Sequence, residues 1–340
     1  MEHERRREVF KRNDRLEDLL NELNGTLGSA EAGMDLPKEP RFPVVFVVGA
    51  PRSGTTLLMQ WLAATGLFAV PSNLLSRFYG APYLGGRIQR LLTDPVFNYK
   101  DELGDPVQYT SAFESHIGKT KGMLQPNEFW YFWRRFIPNV DPEWITPEQE
   151  ARIDIIGFRA GVAAIEAAFD RPFATKGIIL QYNLAALQRI FPRALFIHTY
   201  RHPFFNIQSL LKARQQYFGE ERTWFSVKPK EYQQLKDLDP VQQVAGQVYH
   251  TQVGIEVELA GMPRNALSIA HEDFCSAPSA FYLRLAEKLA VLGHQLPVPY
   301  TGPDRFGVHD KVLVDAARRQ AILTAWKGLS GADLSLPNAD

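Results

Sequence analysis

The stretch from Val44 to Leu58 reads VVFVVGAPRSGTTLL, and it limits the possible folds more than any other part of the chain. Val44, Val45, Phe46, Val47 and Val48 make an unbroken apolar run, mostly β-branched. A strand covered on both faces carries such a run, so these residues predict a buried strand of a parallel sheet. The run ends at Gly49, crosses Ala50, Pro51, Arg52, Ser53 and Gly54, and continues as Thr55-Thr56-Leu57-Leu58-Met59, a turn that opens a helix. Gly49 and Gly54 supply backbone freedom. The amides after Gly54 then belong to a helix N-terminus, where unpaired N–H groups and aligned peptide dipoles favour an anion. The expectation is a phosphate cradle between strand and helix.

The glycine spacing is that of the nucleotide-binding loop G-x-x-x-x-G-K-[ST], whose Lys reaches the outer phosphates and whose hydroxyl holds magnesium. Thr56 keeps the hydroxyl, but Thr55 stands where that Lys would be, and the only cation is Arg52 inside the loop. Such a loop suits an anion that carries no magnesium. The string Pro51-Arg52-Ser53-Gly54-Thr55-Thr56-Leu57-Leu58 resembles the 5′-phosphosulfate loop of sulfotransferases that use 3′-phosphoadenosine 5′-phosphosulfate (PAPS). Two readings compete with it. A divergent nucleotide kinase or ATPase would need the Lys that Thr55 replaces, and a catalytically inactive 3′-phosphoadenosine-binding protein would keep the pocket without the chemistry.

Composition bounds the rest. A chain of 340 residues, 45% hydrophobic and 22% charged, can bury a large core. Lys plus Arg equals Asp plus Glu at 38 each, so no global basic field points to nucleic acid or an anionic membrane. Attraction for an anionic cofactor must be local. Cys275 is the single cysteine, which excludes an intrachain disulfide. The first twenty residues are charged throughout and hold no apolar segment long enough for a signal peptide or a membrane span, so the expected location is the cytoplasm. The eight His are scattered, with no H-E-x-x-H and no paired Cys, and no metal is expected.

In chain order, leucines at helical spacing predict a helix over residues 1–24, closed by Asn24-Gly25, then a linker from Gly28 to Pro43. This divides the chain into an N-terminal helix and linker, 1–40, and a single domain, 41–340. A helix follows from Thr55 to Leu67, and another passes through Ile88, Leu91 and Leu92. Phe129, Trp130, Tyr131, Phe132, Trp133 and Phe136 predict two turns of helix, either packed in the core or lining an acceptor pocket. A helix over 148–170, a short strand over 173–177, a helix from Leu184 to Ile190 and a strand from Ala194 to Tyr200 complete a three-layer α/β/α pattern with a mainly parallel sheet and helical elaborations.

Arg201-His202-Pro203 follows that last strand, and Ser209 lies about two helical turns further on. An Arg at a strand's carboxyl end and a hydroxyl on the next helix can bind one phosphate together. The pair is similar to the second sulfotransferase signature, which holds the 3′-phosphate of PAPS. A softer likeness extends through ALSIAHEDFCSAPSAFYLRLAEKLAVLG, with Glu272-Asp273 as an acidic pair, so the resemblance spans roughly residues 42 to 293. It implies sulfonate transfer from PAPS to a hydroxyl or amine of a small molecule, saccharide or lipid, and it leaves homo-oligomerisation open. Arg52, Ser53, Gly54, Thr55 and Thr56 would surround the leaving group, with Arg201 and Ser209 at the 3′ end. Lys176 matches a family Lys near the sulfonate, but Gly177-Ile178 after it departs from the family pattern and argues for a surface position. The family's early Glu is absent from 70–77, so the base must come from Glu128, His116 or Glu114.

Overall fold

The apolar run forms β1 (Val45–Val48), buried along its whole length, in a computed structural model that describes residues 6–8, 11, 13–97, 113, 120–297, 299–308 and 310–336. β2 (Ala174–Lys176) and β3 (Leu195–Tyr200) flank it, and β4 (Ala266–Ala270) lies beyond β3. The strand order is β2-β1-β3-β4, with every pairing parallel. Side chains alternate across a strand. Phe46 and Val48 therefore join Phe132, Trp133, Phe158, Ile165 and Phe196 on one face, while Val45 and Val47 join Leu58, Trp61, Ile197 and Phe281 on the other.

In chain order the α-helices are α1 (Asp14–Ala32), α2 (Thr55–Ala64), α3 (Pro82–Thr93), α4 (Trp130–Trp133), α5 (Pro147–Glu150), α6 (Ile155–Phe169) and α7 (Leu184–Ile190), then α8 (Pro203–Phe218), α9 (Tyr232–Leu235), α10 (Pro240–Ala260), α11 (His271–Ser276), α12 (Pro278–Val291) and α13 (Ala316–Ser330). α2 and α12 cover one face of the sheet, and α4, α6 and α7 cover the other. A third apolar cluster joins α8, α10 and α13. This is the three-layer α/β/α architecture expected from the sequence. Among the described residues, no helix is long and apolar enough to cross a membrane.

Because β1 has β2 on one side and β3 on the other, connections leave its neighbourhood in opposite directions. That reversal opens a crevice at the carboxyl ends of β1 and β3, where open α/β sheets bind ligands. The Gly49–Gly54 loop and Arg201 both emerge there.

Three local expectations fail, the first being the continuous helix over 148–170, which residues 151–154 divide into α5 and α6. Asn24-Gly25 does not end the first helix, which starts after the Asn13 cap and runs to Gly33, through part of the expected linker. Asn24 is instead buried: its Nδ2 donates to Leu20 O at 2.8 Å and Arg77 O at 2.9 Å, and its Oδ1 accepts from Gly80 N. A residue type that often terminates helices is used here to fasten α1 to the domain. The aromatic stretch gives one α-helical turn rather than two: Phe129 takes a left-handed backbone at φ 55° immediately before α4, and the chain leaves the α-helix after Trp133. Phe129, Phe132 and Trp133 point into the core, whereas Tyr131 is exposed.

Candidate active site

Contact fixes the two loop glycines. At Gly49 a Cβ would stand 2.2 Å from Thr199 O, because the chain passes directly beside β3. At Gly54 the backbone is left-handed, φ 96°, and a Cβ would stand 2.3 Å from His271 Nδ1. Gly54 is also the N-cap of α2, and no side chain caps that helix, so its first-turn amides lack the acceptor that Ser or Asp would give. Beside them, the buried Ser53 hydroxyl has no hydrogen-bond partner.

Three neighbours pin the loop. Thr199 Oγ1 donates to Ser53 O at 3.1 Å, Asn206 Nδ2 to Pro51 O at 3.0 Å, and Gly49 N to Gln181 Oε1 at 3.2 Å. Between these pins Arg52 adopts φ 73°, a conformation that costs a non-glycine residue about 1–2 kcal/mol. Its side chain turns toward α8, where Nε donates to Ser209 Oγ at 3.1 Å. Burial, and then the nearby Arg201, pull the Arg52 guanidinium pKa below its ordinary value. Arg52, Arg201 and Ser209, which the sequence reading divides between the two ends of a nucleotide, thus come together in the crevice. Arg201 is paired with Asp310, and Nε donates to Asp310 Oδ1 at 3.0 Å. Glu272 of the acidic pair accepts from His202 N at 3.0 Å and braces the turn that follows β3.

The other side of the loop carries a second cation. Lys176, at the carboxyl end of β2, is only 8% exposed, which overturns the surface position expected for it. Its Nζ donates to Thr56 Oγ1 at 3.2 Å and to Glu128 Oε1 at 2.8 Å. The Glu128 carboxylate also accepts from Trp130 Nε1 at 2.6 Å through Oε2, and its backbone carbonyl accepts from Trp133 Nε1 at 3.0 Å. The aromatic segment therefore positions a carboxylate as well as filling the core. Of the three base candidates, Glu128 reaches the loop through Lys176, whereas His116 and Glu114 lie outside the described residues.

The sulfotransferase family model matches residues 43–291, well over half of the chain. The chain belongs to the sulfotransferase family. The matched range agrees closely with the span of the motif-based resemblance. Among solved structures, sulfotransferase STF9 from Mycobacterium avium is 15% identical, with 95% of this chain and 86% of that chain covered and a TM-score of 0.51. Sulfotransferase STF1 from Mycobacterium tuberculosis H37Rv is 12% identical, with 80% and 72% covered and a TM-score of 0.49. No curated protein matches the sequence. At these identities the likeness concerns the fold.

Several residues of this sulfotransferase's site escape a motif search. Lys176 is matched to a family Lys, but the residues after it hide its buried place at the carboxyl end of the strand beside the loop strand. Gln181, Asn206 and His271 touch the loop or its glycines but belong to no pattern of their own. Asp310 comes from the tail beyond Gly293, where no motif is found.

Proposed function

We propose that this sulfotransferase moves a sulfonate from PAPS to a hydroxyl or amine of a small-molecule, saccharide or lipid acceptor. The observation that carries this reading is Lys176 Nζ standing between Thr56 Oγ1 and Glu128 Oε1. A cation, a loop hydroxyl and a carboxylate meet where the helix amides of α2 begin. The residues suit the donor. The uncapped start of α2, the unpartnered Ser53 hydroxyl, Gly54, Thr55 and Thr56 fit a 5′-phosphosulfate, and Arg201 and Ser209 fit a 3′-phosphate, with Arg52 placed between the two groups. When bound, PAPS supplies the sulfonate and a phosphate as leaving group.

Glu128 is the base in this reading. Lys176 and Trp130 each hold one of its oxygens, which fixes the carboxylate toward the loop, and it takes the proton of the acceptor hydroxyl or amine. Lys176, Arg52 and the first amides of α2 offset the negative charge that builds on the leaving phosphate oxygen, the largest contribution expected in a transfer of this kind. Phe129 and Trp133 anchor the segment in the core, so the base is held by rigid packing.

The test is transfer of labelled sulfonate from PAPS to a metabolite extract, followed by mass identification of the product. Glu128→Gln is expected to remove transfer while calorimetry still detects binding of 3′-phosphoadenosine 5′-phosphate (PAP). Full turnover in that variant, or tighter binding of ATP with magnesium than of PAP, would overturn the reading.

A further inference from the structure

Arg201 is already held by a carboxylate. Among the described residues between α12 and α13 there is neither helix nor strand, and the part around Asp310 lies against Arg201 at the carboxyl edge of the sheet as a strap. Phe306 pins one part of the strap, its N–H donating to Cys275 O at 2.8 Å and its ring stacking on Phe274 at 5.6 Å. Gln208, next to Ser209 on α8, pins the other. Its Nε2 donates to Lys311 O at 2.9 Å and its Oε1 accepts from Leu313 N at 2.7 Å. Between these pins Asp310 meets Arg201, with the two side chains only 10% and 13% exposed.

Asp310 Oδ1 takes both Nε and Nη2 of Arg201, the edge that a guanidinium uses for a two-point contact with phosphate. A carboxylate and a phosphate dianion cannot share that edge without strong repulsion, and burial weakens the screening that would relieve it. A nucleotide with a 3′-hydroxyl makes no such demand. It leaves the Asp310–Arg201 pair intact.

We propose that Asp310 is a specificity-determining residue of the donor site, which competes with the 3′-phosphate for Arg201, so that the strap gives way when a 3′-phosphorylated nucleotide binds. The inference rests on reading Arg201 and Ser209 as the 3′-phosphate site. Charge gives its direction. Neutralising Asp310 removes a negative charge from beside Arg201 and Arg52, and with it the competitor for the Nε–Nη2 edge of Arg201.

The experiment is calorimetry of PAP and of AMP, which has a 3′-hydroxyl, on the full chain and on Asp310→Asn, Gln208→Ala and Arg201→Met. Asp310→Asn is expected to raise PAP affinity about tenfold while AMP affinity stays within about twofold, the scale on which close charges act in a binding site. Gln208→Ala loosens the strap without touching the ion pair, and should shift the PAP-to-AMP ratio the same way by a smaller factor. An unchanged or lower ratio in Asp310→Asn would overturn the proposal, because Asp310 would then serve to orient Arg201. Should Asp310→Asn lose cooperative unfolding, the ratio in Gln208→Ala decides in the same sense. Arg201→Met tests the underlying assignment separately. Undiminished PAP affinity there would remove the 3′-phosphate site itself, whatever Asp310 does.

Discussion

Replacing Lys176 by Met keeps most of the aliphatic stem and removes one charge at the centre of the site. The Lys176 side chain is 9% exposed and that of Glu128 is 32%, with Nζ to Oε1 at 2.8 Å. Breaking a fully buried pair by removing one partner costs about 3–5 kcal/mol. Glu128 keeps the Trp130 N–H and some access to water, and the variant is relieved of desolvating Lys176 itself. The expected loss of stability is therefore smaller, about 1–2 kcal/mol. Urea unfolding of Lys176→Met, Glu128→Gln and the double variant forms a closed cycle, with a coupling energy of about 1–2 kcal/mol expected between the two side chains. In the transfer assay, Lys176→Met should lower turnover by about 10²-fold, the scale on which a charge stabiliser acts. A coupling energy below about 0.3 kcal/mol together with unchanged turnover would refute both the structural pairing and the catalytic placement.

Arg52→Ala should likewise reduce turnover by about 10²-fold, and a near-normal rate would show that its contact with Ser209 has no part in transfer. Gly54→Ala forces a Cβ against the His271 ring in a left-handed backbone, so it should cost about 2–3 kcal/mol in urea unfolding and weaken PAP binding at least tenfold; a neutral effect would mean that the loop relaxes freely. Burial raises the Glu166 pKa from 4.5 to about 7, so its stabilising contribution is complete below about pH 4.5 and is lost as the pH rises through 7. Burial lowers the His198 pKa from 6.5 to about 4, and its contribution is present above pH 6.5 and lost as the pH falls through 4. The two slopes oppose each other between about pH 4.5 and 6.5, so Glu166→Gln should make the unfolding midpoint fall more steeply on acidification, and parallel curves for variant and parent would contradict this.

The parts of the site that the sequence reveals are those built from neighbours in the chain. Strand, loop and helix over 44–58 announce themselves by an apolar run, two glycines and a helical repeat, and Arg201 with Ser209 depends only on a strand end and two helical turns. The pairings that complete the site are distant. Lys176 meets Glu128 across 48 positions and Arg201 meets Asp310 across 109, and no local pattern encodes which side chains the sheet order brings together. The left-handed backbone of Phe129 is equally silent, since the aromatics that follow it look helical. Asn24-Gly25 misleads for the same reason. Its stop signal is genuine locally, but Arg77 and Gly80 give Asn24 a better use.

That use changes how the protein should be cut. Similarity to the family begins at residue 43, which makes the preceding segment look dispensable. Yet α1 satisfies backbone and side-chain groups of the domain that similarity defines: Asn24 answers Arg77 O and Gly80 N, Glu31 Oε2 accepts from Leu84 N at 2.9 Å, and Asn21 Oδ1 accepts from the Tyr79 hydroxyl at 2.9 Å. A recombinant product trimmed to the recognisable boundary would leave Arg77 O, Gly80 N and Leu84 N without these partners. These bonds tie α1 to residues 77–84. A truncation that keeps them must therefore start before the Asn13 cap of α1.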